Sequence, residues 1–144
     1  MEQRHFEDVE PGDEFEESWT ATRAHVMQYI ESGRNGMAGV GRFTDAVAAA
    51  SEGLEGPVVP GPMSMAIMTR AVTDWMGMYG KLRRLDVNFR RPVHHGDHLR
   101  VLTLVTDVEE TDGRPTVKLD VYFENERGER PLQGVAVVEL PRKT

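Results

Sequence analysis

The sequence of 144 residues predicts an α+β fold in which an antiparallel sheet wraps around one long buried helix. Two observations lead there. The run from Pro62 to Gly77 is apolar at Met63, Met65, Ala66, Ile67, Met68, Ala71, Val72, Trp75 and Met76, leaving one polar stripe of Thr69, Arg70, Thr73 and Asp74. A helix apolar around most of its circumference is buried, not laid on a surface. Strand patterns of period two then follow in series. Leu85, Val87 and Phe89 alternate with Asp86, Asn88 and Arg90, and Val117, Leu119, Val121 and Phe123 alternate with Thr116, Lys118, Asp120 and Tyr122.

The remaining elements fall into order around these. Phe15, Trp19 and Ala21 alternate with Glu16, Ser18 and Thr20 as a first strand. Thr22 is a helix N-cap residue, and Arg23 to Glu31 reads as a short helix ended by Ser32-Gly33, glycine being the usual residue past a helix C-terminus. Asn35 to Arg42, with three glycines, reads as a loop, and the alanine-rich Thr44 to Glu52 as a second short helix. Arg70 and Asp74, four apart on the long helix, are spaced to pair. Leu99 to Val105 is apolar on both faces, as a central strand is. Asp112-Gly113 signals a tight hairpin, Glu126 to Glu129 marks the next turn, and Val135 and Val137 mark a last strand.

Composition narrows the function classes. The chain carries 17 Lys and Arg against 24 Asp and Glu, a formal charge of -7, which argues against a nucleic-acid partner. No run approaches the roughly 18 apolar residues of a membrane span. The start, with Glu2, Arg4, Glu7 and Asp8, has no apolar leader core, so a cytoplasmic protein is expected. The absence of cysteine excludes disulfides, thiolate metal sites and cysteine nucleophiles. With no internal repeat or linker, one domain spanning residues 1–144 is expected.

Phe6-Glu7-Asp8-Val9-Glu10-Pro11-Gly12-Asp13 at the start, and Phe89-Arg90-Arg91-Pro92-Val93 running to Gly96-Asp97, frame the helix-then-meander order. In this arrangement the chain resembles the MaoC-like hydratase and dehydratase family over nearly its whole length. The resemblance implies a hot-dog fold. It further implies association as a homodimer, or as a heterodimer with another hot-dog subunit, with sites at the subunit junction. The chemistry it implies is reversible addition of water across the double bond of an enoyl thioester. No cofactor is implied, since a coenzyme A or acyl-carrier thioester enters as substrate or ligand.

In the family an aspartate and a histidine carry that chemistry, in a motif written S-G-D-x-N-P-x-H after the first helix, with A-H-G-M at the start of the buried helix. Here Ser32-Gly33 is followed by Arg34 and Asn35, with Gly39 at the histidine position. Sliding the gap so that Asp45 and Ala49 match puts Phe43 there instead. The second motif reads Val59-Pro60-Gly61-Pro62. Arginine is no base at neutral pH, and phenylalanine, glycine and proline do not titrate. The family's acid–base pair is therefore missing from its usual positions.

Three readings stay open: a catalytically silent subunit of a two-subunit enoyl-thioester hydratase, an enzyme with a rearranged site, and a binder of acyl-CoA or another small ligand. For a rearranged site the catalytic candidates are Asp45 and Arg34, with Glu31, Glu52 and His25 as further acid–base groups. The substrate-binding candidates are Asn35, Phe43, Pro60, Gly61, Met63 and Arg90, with the N–H groups of Gly61 and Met63 offered to a thioester oxygen. A hot-dog thioesterase is the nearest chemical rival and needs a carboxylate on or beside the long helix, where Asp74 is the one available.

Each candidate has a purely structural alternative. Asp45 sits where an acid favours a helix start, Arg34 and His25 suit exposed surface, and the methionines of the long helix serve either an acyl tunnel or the core. Arg83, Arg84, Arg90 and Arg91 suit coenzyme A phosphates, but alternating strand faces prevent all four from lining one pocket. His94, His95, Asp97 and His98 invite a metal reading, yet their spacing in a strand connection gives an exposed turn and no metal site is expected.

Overall fold

The computed structural model describes residues 2–32 and 41–144, so Arg34 and Asn35 lie outside the described residues. After a short 3-10 turn at Phe6–Asp8, the chain forms β1 (Glu14–Thr20), α1 (Arg23–Glu31), α2 (Ala46–Ser51) and α3 (Gly61–Met76). It continues through β2 (Lys81–Phe89), β3 (His98–Thr111), β4 (Arg114–Glu124) and β5 (Leu132–Glu139). The sheet runs β1-β3-β4-β5-β2 and every neighbouring pair is antiparallel. This is the hot-dog arrangement, with α3 held in the sheet.

Local chemistry explains most boundaries. Thr22 caps α1 by accepting from the His25 N–H at 3.2 Å. Asp112 and Gly113 both take positive φ, 53° and 77°, as a two-residue hairpin of the mirror-image type requires. Asn125 closes the β4–β5 turn by accepting from the N–H groups of Arg127 and Glu129. The Arg70–Asp74 pair does not form: neither side chain is in an ion pair among the described residues.

The core lies between α3 and the sheet. Met63, Met68, Ala71, Val72 and Trp75 pack with Val101, Val105, Val117, Leu119, Val121, Phe123, Ala136 and Val138. Contact with β5 is close because position 134 is glycine. A Cβ there would stand 2.9 Å from the Asp86 carbonyl and 3.3 Å from Met68 Sδ. The last strand buries the phase opposite to its two marker valines: Ala136 and Val138 face the core, while Val135 is 46% exposed. Its sequence is apolar in both phases, so the face is set by register with β4, where Leu119 meets Ala136 and Val117 meets Val138.

Candidate functional site

The N-terminal end of α3 opens into a cavity of about 530 Å³. Its walls are largely apolar, with Phe43, Leu54, Val58, Val59, Phe89 and Val93 among the lining residues. Pro60 is the N-cap and offers no side-chain hydrogen bond. Pro62 lacks an N–H altogether. The N–H of Met63 donates to the Pro60 carbonyl at 3.0 Å and that of Ser64 to the same oxygen at 3.2 Å. Of the expected pair of donors, therefore, Gly61 alone remains available, because Met63 is turned into its own helix. The 16-residue α3 adds the partial positive charge of its N-terminus at that point.

Ser64, one turn in, lines the cavity although it is only 1% exposed overall, and its hydroxyl is without a hydrogen bond among the described residues. Sequence reading passed over it because it sits in an apolar run. A lone hydroxyl on the buried stripe of a helix is the signal that would have found it. Phe89 is likewise a wall residue: it is 54% exposed and its ring lies against Gly61, 3.5 Å from where a Cβ would stand. Leu85 and Val87, on the same strand face, pack on the core instead.

Four charged side chains reach the lining. Arg42 pairs with Glu52 at 3.1 Å and lies over the Phe43 ring at 5.0 Å. Arg91 pairs with Glu129 at 3.2 Å. Arg90 has no ion-pair partner among the described residues. The structure thus brings Phe43, Gly61 and Arg90 together, with Pro60 beside them as the cap, while Met63 belongs to the core.

Asp45 is placed elsewhere: it is the N-cap of α2, accepting from the Val47 N–H at 2.9 Å, and it is not a lining residue. Arg34 and Asn35 lie outside the described residues. None of the methionines on α3 lines the cavity: Met63 and Met68 belong to the core and Met76 packs against it. The histidine turn is less exposed than its spacing predicts, with His94 and His95 half-buried, because residues 94–95 bond to residues 57–58. No group of three His, Cys, Asp or Glu among the described residues is arranged to hold a metal. No helix among them is long and apolar enough to cross a membrane.

Comparison with known proteins agrees with this architecture. The R-hydratase PhaJ1 of Pseudomonas aeruginosa superposes with a TM-score of 0.78 at 20% identity, over 96% of this chain and 86% of that one. A MaoC-like dehydratase from Rhodospirillum rubrum gives 0.80 at 21%, over 98% and 99%. The ChsH1-ChsH2 complex from Mycobacterium tuberculosis gives 0.77 at 17%, over 92% and 98%. At such identities these likenesses show the fold. No curated protein sequence matches. The family model described as MaoC like domain matches residues 43–126, more than half of the chain, and covers most of the cavity wall, α3 and β2 to β4. The chain belongs to the MaoC-like domain family, with the family's hot-dog scaffold around a cavity whose described lining residues include no histidine.

Proposed function

We propose that the chain binds the acyl part of an enoyl or hydroxyacyl thioester and serves as the non-catalysing subunit of a two-subunit hydratase or dehydratase, the acid–base pair coming from a partner hot-dog subunit. One observation carries the reading. The described lining offers apolar walls, a helix N-terminus and arginines, but no imidazole, and its one carboxylate, Glu52, is bound to Arg42. By sequence, residues 33–40 contain neither a carboxylate nor an imidazole either.

In this reading the Gly61 N–H and the Ser64 hydroxyl donate to the thioester oxygen, where negative charge builds up as water adds or leaves. The acyl chain lies along Phe43, Val59 and Phe89 in a volume usual for a small-molecule site. Arg90, without an acid partner among the described residues, meets a phosphate of coenzyme A or of a carrier's prosthetic arm. The ChsH1-ChsH2 complex supports the assembly part of the proposal as a precedent in which two different chains combine.

The test pairs binding with turnover. Titration calorimetry with a saturated acyl-CoA is expected to show binding by the chain alone, weakened about tenfold or more in Arg90→Glu, the size of a lost charge-assisted hydrogen bond. Enoyl-CoA hydration is expected only after mixing with a MaoC-like chain that carries an intact S-G-D-x-N-P-x-H motif. Turnover by the chain alone that vanishes in Glu52→Gln or Asp45→Asn would overturn the proposal in favour of a rearranged active site.

A further inference from the structure

Two ionisable side chains, Arg23 and His95, meet just outside the cavity lining. Four segments far apart in sequence meet around the imidazole of His95. Arg23, the first residue of α1, sets Nη1 3.4 Å from His95 Nδ1 and donates from Nη2 to the Thr44 carbonyl at 3.2 Å. The His95 N–H donates to the Pro57 carbonyl at 3.2 Å and the Val58 N–H to the Arg42 carbonyl at 3.0 Å, while Val58 bridges His94. The carbonyls of Phe43 and Val58 face the ring, whose Nε2 is buried without a partner in hydrogen-bond geometry. Phe43, Arg42 and Val58 are cavity walls.

We infer that Arg23 and His95 are positioning residues forming a proton-sensitive brace behind the Phe43 wall, closed when the imidazole is neutral and released when it is protonated. A guanidinium can only donate, so its approach to Nδ1 is attractive only while that nitrogen keeps its lone pair. Protonation removes the acceptor and sets a second cation against Arg23, which also holds Thr44.

The surrounding charges offer the imidazolium nothing in exchange. On its own turn stand His94 and Asp97, and Asp97 accepts from the His94 N–H at 2.9 Å. On the segment before α2 stand Arg42, paired with Glu52, and Asp45, which caps α2. Arg23 is the charge facing the ring from α1, and residues 57–58 carry none. Burial first, and Arg23 second, hold His95 below the ordinary histidine range, outweighing the Phe43 and Val58 carbonyls, which favour the imidazolium. For a base lowered in the closed form, the released form binds protons more readily. The brace is therefore intact above the ordinary histidine pKa of about 6.5 and weakens as pH falls below it.

The effect on ligand binding rests on the proposed function, but the brace is tested without ligand. Amide hydrogen exchange at Val58 and His95, corrected for intrinsic rates, is expected to accelerate by up to about tenfold per pH unit as pH falls below about 6.5, the slope of one linked proton, and to level off once the lowered His95 pKa of the closed form is passed. His95→Gln keeps an acceptor but does not titrate, and is expected to abolish that slope. Arg23→Gln, at the exposed start of α1, is expected to raise the His95 pKa read by NMR. Acceleration that persists in His95→Gln, or a His95 pKa unmoved by Arg23→Gln, would overturn the brace. Acyl-CoA affinity that falls below pH 6.5 in the wild type alone would support it. Closure and release with no thioester bound at any pH would support the brace and overturn the proposed function.

Discussion

The two ends of α3 are finished in opposite ways. At the C-terminal end Gln3 lies across the last turn, donating from Nε2 to the Met76 carbonyl at 2.8 Å and accepting from the Tyr79 N–H at 2.9 Å. Arg4 donates to the Trp75 carbonyl at 2.7 Å and stacks 4.5 Å from the Phe15 ring centre and 5.4 Å from that of Trp75. The helix has no basic residue in its own last turn, so this cation, favourable at a helix C-terminus, comes from the start of the chain. Gly77 leaves room for the Gln3 side chain, since a Cβ there would stand 2.6 Å from Gln3 Oε1. At the N-terminal end the proline cap adds no side-chain hydrogen bond, and the Gly61 N–H and Ser64 hydroxyl, beside the cavity, have no partner among the described residues. Every helix leaves orphan groups at both ends. Here the fold satisfies groups at one end through the start of the chain and leaves the Gly61 N–H at the other beside the cavity.

Substitutions at the sealed end break the comparison most severely. Trp75→Ala empties a buried aromatic site against Phe15 and is expected to cost about 3–5 kcal/mol in denaturant unfolding. Gln3→Ala removes two cap hydrogen bonds and is expected to cost about 1 kcal/mol, a Tm drop of roughly 2–4 °C, with no change in acyl-CoA affinity. At the open end the sign reverses. Ser64→Ala removes a hydroxyl with no partner among the described residues, so stability is expected to hold within about 0.5 kcal/mol or rise, while thioester affinity falls. A Ser64→Ala protein that melts lower and binds as before would erase the distinction between the two ends.

Much of this was legible in the sequence, and the division follows physical range. The Thr22 cap, the Asp112-Gly113 hairpin and the apolar breadth of α3 are encoded within a few residues, and each appears in place. The buried phase of β5 was not legible, because alternating apolar residues on both faces leave the choice to the neighbouring strand. At the site, Phe43, Gly61 and Arg90 could be found because they stand at positions that the family's motifs mark. Ser64 was hidden in an apolar run, and the Arg23–His95 contact joins residues 72 apart in the chain. Asp45 shows the converse: an acid before an alanine-rich segment suits a cap and a catalyst equally, and only geometry places it at the head of α2.

The packing of Met68 over Gly134 gives the protein an internal chemical clock. Met68 is wholly shielded while Met78, just past the same helix, is 86% exposed. Peroxide therefore converts Met78 to its sulfoxide at the rate of a free side chain, whereas Met68 reacts only when the helix lifts from the sheet. The ratio of the two rates, read by peptide mass spectrometry, reports how often the hot-dog opens. A sulfoxide formed at Met68 would hinder reclosure, because it sets a polar oxygen in a wholly buried apolar site.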